Sequence, residues 1–345
     1  MLPTTDPRLF DLDLLVEGEA RPRDGPRTRT GGGGRRRRPG PMLLAVDGNG
    51  LAHRAFHAVG GEEAPAGAAV ERVVAMLARV AAGLHPTACV IGFDDPQRSL
   101  RRERCPHYKS ARPPKPATLV ALLAELPALL RRLGLCVAEP PGLEADDVLG
   151  SAAALARRRQ VPATLLTGDQ DAFALVSPTV RVCLLLAGGR VEQVTPSWLR
   201  ARYGVLPPQY ADFAALRGDA SDCLPGVRGI GAVTAARLLG AYPDVAAALE
   251  DLPGVARLLG PAVAEALTTQ RAVYRQNREV MAIRTDVALD VAACNRRLER
   301  QRVAAVLAEH GLEELTDRLL AGFALLGRAA WRRSPQAEAG TGAPP

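Results

Sequence analysis

Lysine is nearly missing from this chain. Of 44 Lys plus Arg residues only two are Lys, Lys109 and Lys115, and both fall in one short segment. Zinc-type spacing is missing as well. The six cysteines, at positions 89, 105, 136, 183, 223 and 294, are scattered, with no CxxC or Cys/His pairing, which excludes a structural zinc module. Cys89, Cys136 and Cys183 lie in apolar strand-like runs and read as small core residues, consistent with a reduced, cytoplasmic setting. No signal peptide is visible and no apolar run is long enough to span a membrane, so secreted and membrane classes are set aside.

What the chain does have is acid placed at the ends of apolar runs. Asp47, Asp94, Glu144, Asp146, Asp147, Asp169, Asp171, Asp219 and Asp222 fall at the ends of predicted strands or at the mouths of predicted helices, as in LLAVD, CVIGFD and ATLLTGDQD. Carboxylates gathered at one edge repel each other unless positive charge sits among them, and divalent metal is the simplest source. A site of carboxylates alone, without His or Cys, suits a hard cation such as Mg²⁺ or Mn²⁺. The whole chain is nonetheless basic, with net charge +7 and pI about 9.4. Residues 1–41 hold nine Arg and six acids, so the remainder carries +4 even with those carboxylates included. An acidic pocket in a basic protein points to a polyanionic substrate handled through metal ions.

The 345 residues suffice for one α/β domain and a smaller helical one. Residues 1–41, ending GGGGRRRRPGP, read as a disordered Gly/Arg-rich tail, with Met42 an alternative start. Strands are expected at 42–47, 88–94, 135–139 and 162–167, with a hairpin at 180–186 and 191–195 around AGGR. Helices are expected at 69–83, 117–134 (with Pro127 kinking or splitting it), 145–159 and 171–176. Apolar strands alternating with helices predict a mostly parallel central sheet covered on both faces, with ligands bound beyond the carboxyl ends of the strands. This gives a catalytic domain over 42–205, a helical subdomain over 206–290, a helical extension over 291–331 and a tail over 332–345. Further helices fit 261–283 and 300–326.

The motifs carry chemistry only jointly. EADD (144–147) opens a helix; Glu144 and Asp147 share a face while Asp146 points elsewhere, and helix capping explains the motif equally well on its own. In DQD, Asp169 and Asp171 point the same way along an extended chain, although DQD alone is a common turn. Residues 98–115, RSLRRERCPHYKSARPPK, hold seven basic residues and one acid. A solvated loop is the ordinary explanation, but the placing of both lysines here suggests a requirement for a compact ammonium beside a scissile phosphate. Arg101, Arg112 and Tyr108 add cations and a stacking surface for single-stranded nucleic acid. In PGVRGIG (225–231), Gly226, Gly229 and Gly231 allow a tight turn before a helix whose free N–H groups face phosphate. Val227, Arg228 and Ile230 complete this helix–hairpin–helix signal for duplex DNA.

Together the stretches AVDGNGLAHRAFHA, IGFDDP, SLRRERCPHYKSARPP, PGLEADDVLGS, LLTGDQDAFALV, LRGDASDCLPGVRGIGAVTAARLL and IRTDVALDV resemble the 5′-nuclease family. That family includes the N-terminal domain of bacterial DNA polymerase I, phage 5′-exonucleases and flap endonucleases. The likeness runs from about Leu43 to residue 320, and with no polymerase domain following, it implies a freestanding, monomeric bacterial 5′–3′ exonuclease acting on DNA flaps, nicks or overhangs.

By this resemblance Asp47, Asp94, Glu144, Asp146 and Asp147 hold or frame a first metal. Asp169, Asp171, Asp219 and Asp222 frame a second. Lys109 and Arg112 lie on an arch over the scissile phosphate, Arg54 faces DNA, and the 225–231 hairpin binds duplex backbone with K⁺. Gly168, Gln170 and Cys223 depart from the family pattern without removing a carboxylate. A PIN-like ribonuclease and a catalytically lapsed DNA-binding protein are the competing readings.

Overall fold

The computed structural model describes residues 40–185 and 191–328. The expected tails at 1–41 and 332–345, nearly all of the first and all of the second, lie outside the described residues, as does the AGGR turn. Strand β1 (Leu43–Asp47) leads into helix α1 (Gly48–Ala58), α2 (Ala68–Leu84), β2 (Ala88–Gly92), α3 (Leu100–Arg104) and α4 (Ala117–Arg132). Then follow β3 (Val137–Ala138), α5 (Ala145–Arg159), β4 (Ala163–Thr167), a 3₁₀ turn (Asp171–Leu175), β5 (Val180–Leu185) and β6 (Val191–Val194). The sheet order is β3-β2-β1-β4-β5-β6. All pairings are parallel except β5 with β6.

Every residue of β1 is buried because the sheet is covered on both faces. Side chains alternate between faces along a strand. Leu44 and Val46 accordingly join Phe56, Val73, Leu77 and Leu126 on one side, while Leu43 and Ala45 join Val148, Leu149 and Ala152 on the other. Pro127 does not split its helix: α4 runs unbroken and buries Pro127 with Leu126 and Leu130.

After β6 the chain is mostly helical: α6 (Pro196–Tyr203), α7 (Tyr210–Arg217), the short antiparallel pair β7 (Gly218–Asp219) and β8 (Leu224–Pro225), α8 (Ala232–Ala241), α9 (Val245–Glu250), α10 (Leu252–Leu259), α11 (Pro261–Thr269) and α12 (Arg271–Val280). The single helix expected over 261–283 is therefore two. The break falls at Gln270, whose side-chain amide accepts from the Arg228 backbone N–H and donates to its carbonyl, at 2.9 and 3.1 Å. Aromatic residues make up only 4% of the chain. Five of them, Phe173, Trp198, Tyr203, Tyr210 and Phe213, meet in one cluster of tilted and edge-to-face rings that joins the sheet to this helical region.

The remaining helices are α13 (Val291–Cys294), α14 (Arg300–Ala308) and α15 (Leu315–Gly322). The expected 300–326 helix is thus also divided, at a turn where Gly311 takes a positive φ of 67°. Leu307, Leu315, Leu319 and Phe323 return this segment to the core between α2 and α4.

Between α12 and α13 an extended strap, 281–290, crosses α5. The Val287 N–H donates to Ser151 Oγ at 2.9 Å. Gly150 lies inside α5, where Ala is ordinarily favoured by about 1 kcal/mol. A Cβ at Gly150 would stand 2.3 Å from the Arg284 carbonyl oxygen and 2.5 Å from Ile283 Cγ2. Close approach of the strap therefore outweighs helix propensity. Gly150→Ala is expected to lower stability by about 1–3 kcal/mol, read from the urea midpoint. A midpoint at or above that of the parent would show that the strap does not press on the helix.

Candidate metal and nucleic-acid site

Strand order reverses beside β1, the position at which open parallel sheets form a crevice at their carboxyl edge. Asp47 ends β1 and caps α1. Its Oδ1 accepts from the Gly50 N–H at 2.7 Å and its Oδ2 from the Thr167 hydroxyl, at the end of β4, at 3.0 Å. Asp94, just beyond β2, places Oδ1 2.9 Å from the Ala145 N–H at the start of α5, while Asn49 Oδ1 accepts from its backbone N–H. Asp169 follows β4; the Thr167 hydroxyl accepts from its N–H at 3.0 Å, and its Oδ1 accepts from the Asp171 N–H at 2.8 Å. Strand ends and helix N-termini thus aim these acids into one crevice, where the helix amides partly offset their charge.

Asp146 belongs to this group. It points away from Glu144 and Asp147, as expected, but into the crevice, where Asp169 and Asp47 bear on it. Its Oδ1 is shielded from solvent and has no hydrogen-bond partner among the described residues. An orphaned buried carboxylate oxygen is costly unless protonated or bound to a cation.

Burial raises the pKa of Asp47, Asp94, Asp146, Asp171 and Asp222. Asp47 is pushed up to about 6 by desolvation, reinforced by Asp94 and Asp169 and opposed by the Gly50 N–H. Asp171 is pushed up to about 8 by burial and by Asp169, Asp222 and Asp219. Asp94 and Asp222 are also raised, burial being the chief cause in each. Asp219 goes the other way. Burial opposes its ionisation, but hydrogen bonds from Ser221, through both hydroxyl and N–H, hold it below the usual range.

A cationic segment leans over these acids. Lys109 has a left-handed backbone, φ 56°, and its N–H donates to the Asp222 carbonyl at 2.9 Å. Its ammonium donates to Glu144 Oε2 at 2.8 Å. Burial disfavours the charge on each partner, yet their attraction prevails, raising the Lys109 value and lowering that of Glu144. The Arg112 guanidinium pairs with Asp222 Oδ1. Lys115 is exposed and lies close enough to lower Asp94 electrostatically.

Three expectations need correction. Asp147 is not offered to a metal: Oδ1 accepts from Arg101 Nη2 and the Arg284 N–H, and Oδ2 from Arg101 Nη1 and the Glu144 N–H, all at 2.8–3.0 Å. Its lone pairs are committed, and it locks the start of α5 to Arg101 and the strap. Arg101 is correspondingly no free DNA cation. Its guanidinium is 12% exposed and also donates to the Val280 and Ala282 carbonyls. Tyr108 is no stacking platform either, because its ring is buried and its hydroxyl donates to Glu144 Oε2 at 3.1 Å.

Arg54 Nη2 donates to the Leu185 carbonyl at the end of β5. In the 225–231 turn Val227 and Ile230 are buried anchors, which leaves Arg228, Gly229 and Gly231 exposed before α8. Asn277 holds the turn's base, donating to the Ala215 and Pro225 carbonyls at 2.9 and 2.8 Å.

Sequence reading missed Thr167, Asn49, Asn277 and Arg284. Asn49 lies beside Asp47 in DGNG and was the one open to notice. Arg284 reaches Asp147 from 137 residues away, with no local signal.

The donor set fits a hard divalent cation: oxygen only, with the shielded Asp146 Oδ1 unpartnered among the described residues. Among the described residues no three such side chains close on one point as a finished cage. The sign of the linkage follows from the raised values. An acid whose folded pKa exceeds its unfolded 3.8 loses stability as pH climbs from about 4 through its folded value. In EDTA the melting temperature is therefore expected to fall between about pH 4 and pH 8, from the unfolded value up to the folded values of Asp47 (about 6) and Asp171 (about 8), and millimolar Mg²⁺ is expected to remove most of that fall. A melting temperature that rises through this range in EDTA would contradict the buried acidic cluster.

Comparison with known proteins matches the chain to a family. The 5′–3′ exonuclease N-terminal resolvase-like domain matches residues 42–204, and the 5′–3′ exonuclease C-terminal SAM fold matches residues 205–304. Thermostable DNA polymerase I of Thermus aquaticus is 36% identical over 288 residues, covering 80% of this chain and 34% of the relative. DNA polymerase I of Mycobacterium tuberculosis is 33% identical over 296 residues, covering 83% and 32%. The chain thus spans about a third of the length of these relatives. Among solved structures, T5 5′-exonuclease with bound divalent metal ions superposes with TM-score 0.59 at 19% identity, covering 81% of this chain and 98% of that one. The catalytic core of Rad2 in complex with DNA substrate gives TM-score 0.52 at 14% identity, covering 82% and 92%. These structural likenesses speak to the fold, a mostly parallel resolvase-like sheet followed by a helical domain. No helix among the described residues is long and apolar enough to cross a membrane. With both domains matched in order over 42–304 and relatives above 30% identity across four fifths of its length, the chain belongs to the 5′–3′ exonuclease family.

Proposed function

We propose that the chain is a metal-dependent, structure-specific 5′–3′ exonuclease and flap endonuclease that hydrolyses DNA phosphodiesters to leave 5′-phosphate ends, working as a cytoplasmic monomer in replication or repair. The observation that carries this reading is the convergence of Asp47, Asp94, Asp146, Asp169, Asp171 and Asp222 on one crevice, with Lys109 and Arg112 leaning over it. Family membership supports it.

Asp47, Asp94, Asp146 and Glu144 would hold one Mg²⁺ or Mn²⁺, and Asp169, Asp171 and Asp222, with Asp219 behind them, a second. The chemistry two such ions supply when bound is activation of water for in-line attack and stabilisation of the leaving 3′-oxygen. Thr167 and the N–H groups of Gly50 and Ala145 aim the carboxylates, so little reorganisation is needed. Lys109 and Arg112, now paired with Glu144 and Asp222, are the cations available to a scissile phosphate once those acids find other partners. Asp147 and Arg101 position the start of α5. The exposed backbone at Gly229 and Gly231 and the N-terminus of α8 would grip duplex phosphate without reading bases, and the carbonyls of the 225–231 turn would hold a K⁺ ion supplying positive charge to that phosphate.

The deciding assay incubates a labelled 5′-flap duplex and a matching RNA with Mg²⁺ or with EDTA. Magnesium-dependent release of 5′-phosphorylated DNA fragments is expected. Cleavage of the RNA alone would favour a PIN-like ribonuclease, and binding without cleavage a lapsed enzyme. Lys109→Ala is expected to slow flap cleavage on the order of 10²–10³-fold while duplex binding by gel shift survives; cleavage at the parental rate would remove Lys109 from the reaction. Asp171→Asn is expected to shift the Mg²⁺ titration of activity to higher concentration, and an unchanged titration would detach Asp171 from the metals.

A further inference from the structure

Cys136 and Cys294 lie 158 residues apart in sequence, yet their Sγ atoms stand 3.2 Å apart, both as free thiols. Cys136 precedes the edge strand β3 and is half-buried. Cys294 ends α13 and is buried, 3% exposed. Small apolar packing would explain either cysteine alone. It does not explain two sulfurs brought together from segments distant in sequence, at a separation that a small side-chain movement closes to the ~2.05 Å of a disulfide.

From this juxtaposition we propose that Cys136 and Cys294 form a reversible dithiol–disulfide pair, oxidised by peroxide, that locks the end of the 281–290 strap to the edge of the catalytic sheet.

The two thiols are not equivalent. Cys294 donates its hydrogen to Cys136. That bond, aided by Arg296 and Arg131 and opposed by burial, holds Cys136 below the ordinary thiol range, while the same bond and burial raise Cys294. Cys136 is thus the accessible nucleophile and Cys294 the resolving thiol. The Cys136 thiolate attacks one peroxide oxygen; the O–O bond breaks, an S–O bond forms, and the departing hydroxide takes a proton to become water. Cys294 sulfur then attacks Cys136 sulfur as its proton leaves; the S–O bond breaks and a second water departs. Two thiols lose two protons and two electrons, and one peroxide becomes two waters.

The consequence follows from where the strap runs. At its near end the carbonyls of Val280 and Ala282 accept from Arg101, and the Arg284 N–H donates to Asp147. At its far end Asp290 caps α13, which carries Cys294. Cross-linking there removes freedom from the only described segment between the helical region and the C-terminal helices, and it closes a very long loop in the unfolded chain. A bond of this kind in a reducing compartment acts as a sensor rather than a permanent staple.

The test treats the full chain with hydrogen peroxide, alkylates free thiols and maps peptides without reduction. The expected result is a linked Cys136–Cys294 peptide pair, two hydrogens lighter than the separate thiols and released by dithiothreitol, with Cys89 still alkylated. The melting temperature is expected to rise by about 5 °C on oxidation, a rise kept in Cys89→Ser and lost in Cys294→Ser. Independent alkylation of Cys136 and Cys294 after treatment, or Cys136 recovered as sulfinic acid beside a free Cys294, would overturn the proposal. The mapping uses the parent chain, so it does not depend on how well any variant folds.

Discussion

Repulsion among buried carboxylates is the constraint on which this structure turns. Asp47, Asp94, Asp146, Asp171 and Asp222 share a crevice with Asp169, and desolvation and neighbouring acids raise the cost of ionising those five. The fold meets that cost in three ways. Helix N-termini donate N–H groups to Asp47 and Asp94, the 98–115 segment supplies Lys109 and Arg112, and Asp171 retains its proton near neutral pH. A divalent cation would replace the second and third devices, which is why the same residues that strain the folded chain are suited to metal chemistry.

The arch and the acidic loop at 219–223 are fitted to each other at the level of backbone. Lys109 and Cys223 both occupy the left-handed region, φ 56° and 58°. The Lys109 N–H bonds the Asp222 carbonyl, and the Ala111 N–H lies 3.3 Å from Cys223 Sγ. Strained non-glycine backbone persists where its surroundings over-determine it. Here the strain brings a scarce lysine to Glu144 and connects the catalytic sheet to the turn that presents the hairpin. Cys223 takes a conformation that Asn adopts more readily, and its sulfur accepts from the Ala111 N–H.

A second layer of residues holds the first in place. Arg101 joins Asp147, Glu144, Val280 and Ala282, so one guanidinium ties the segment below the arch, the start of α5 and the strap into a single unit. Gly150 lets the strap lie directly on α5. The aromatic cluster around Phe173 and Tyr210 does the equivalent work on the other side of the crevice, fixing the turn that carries Asp169 and Asp171 against α7. Nearly all of these contacts link segments distant in sequence, so the geometry of the crevice depends on the whole fold.

The sequence by itself determined the alternation of strands and helices, the parallel sheet, and the delivery of acids to strand ends, because these follow from periodicity and from local turn and cap chemistry. The motifs in order were enough to indicate the family. What only tertiary structure decided was the facing of each side chain. Asp146 and Asp147 are neighbours on one helix, yet one enters the crevice and the other is taken by Arg101 and Arg284. Tyr108 and Arg101 look like surface ligands in a basic stretch, yet both are drawn inward by Glu144 and Asp147. Breaks at Gln270 and Gly311 were hidden for the same reason, since an apolar repeat does not reveal which side chain a distant turn will claim. Pairing across more than a hundred residues depends on how the layers close, and composition and spacing carry no record of that closure.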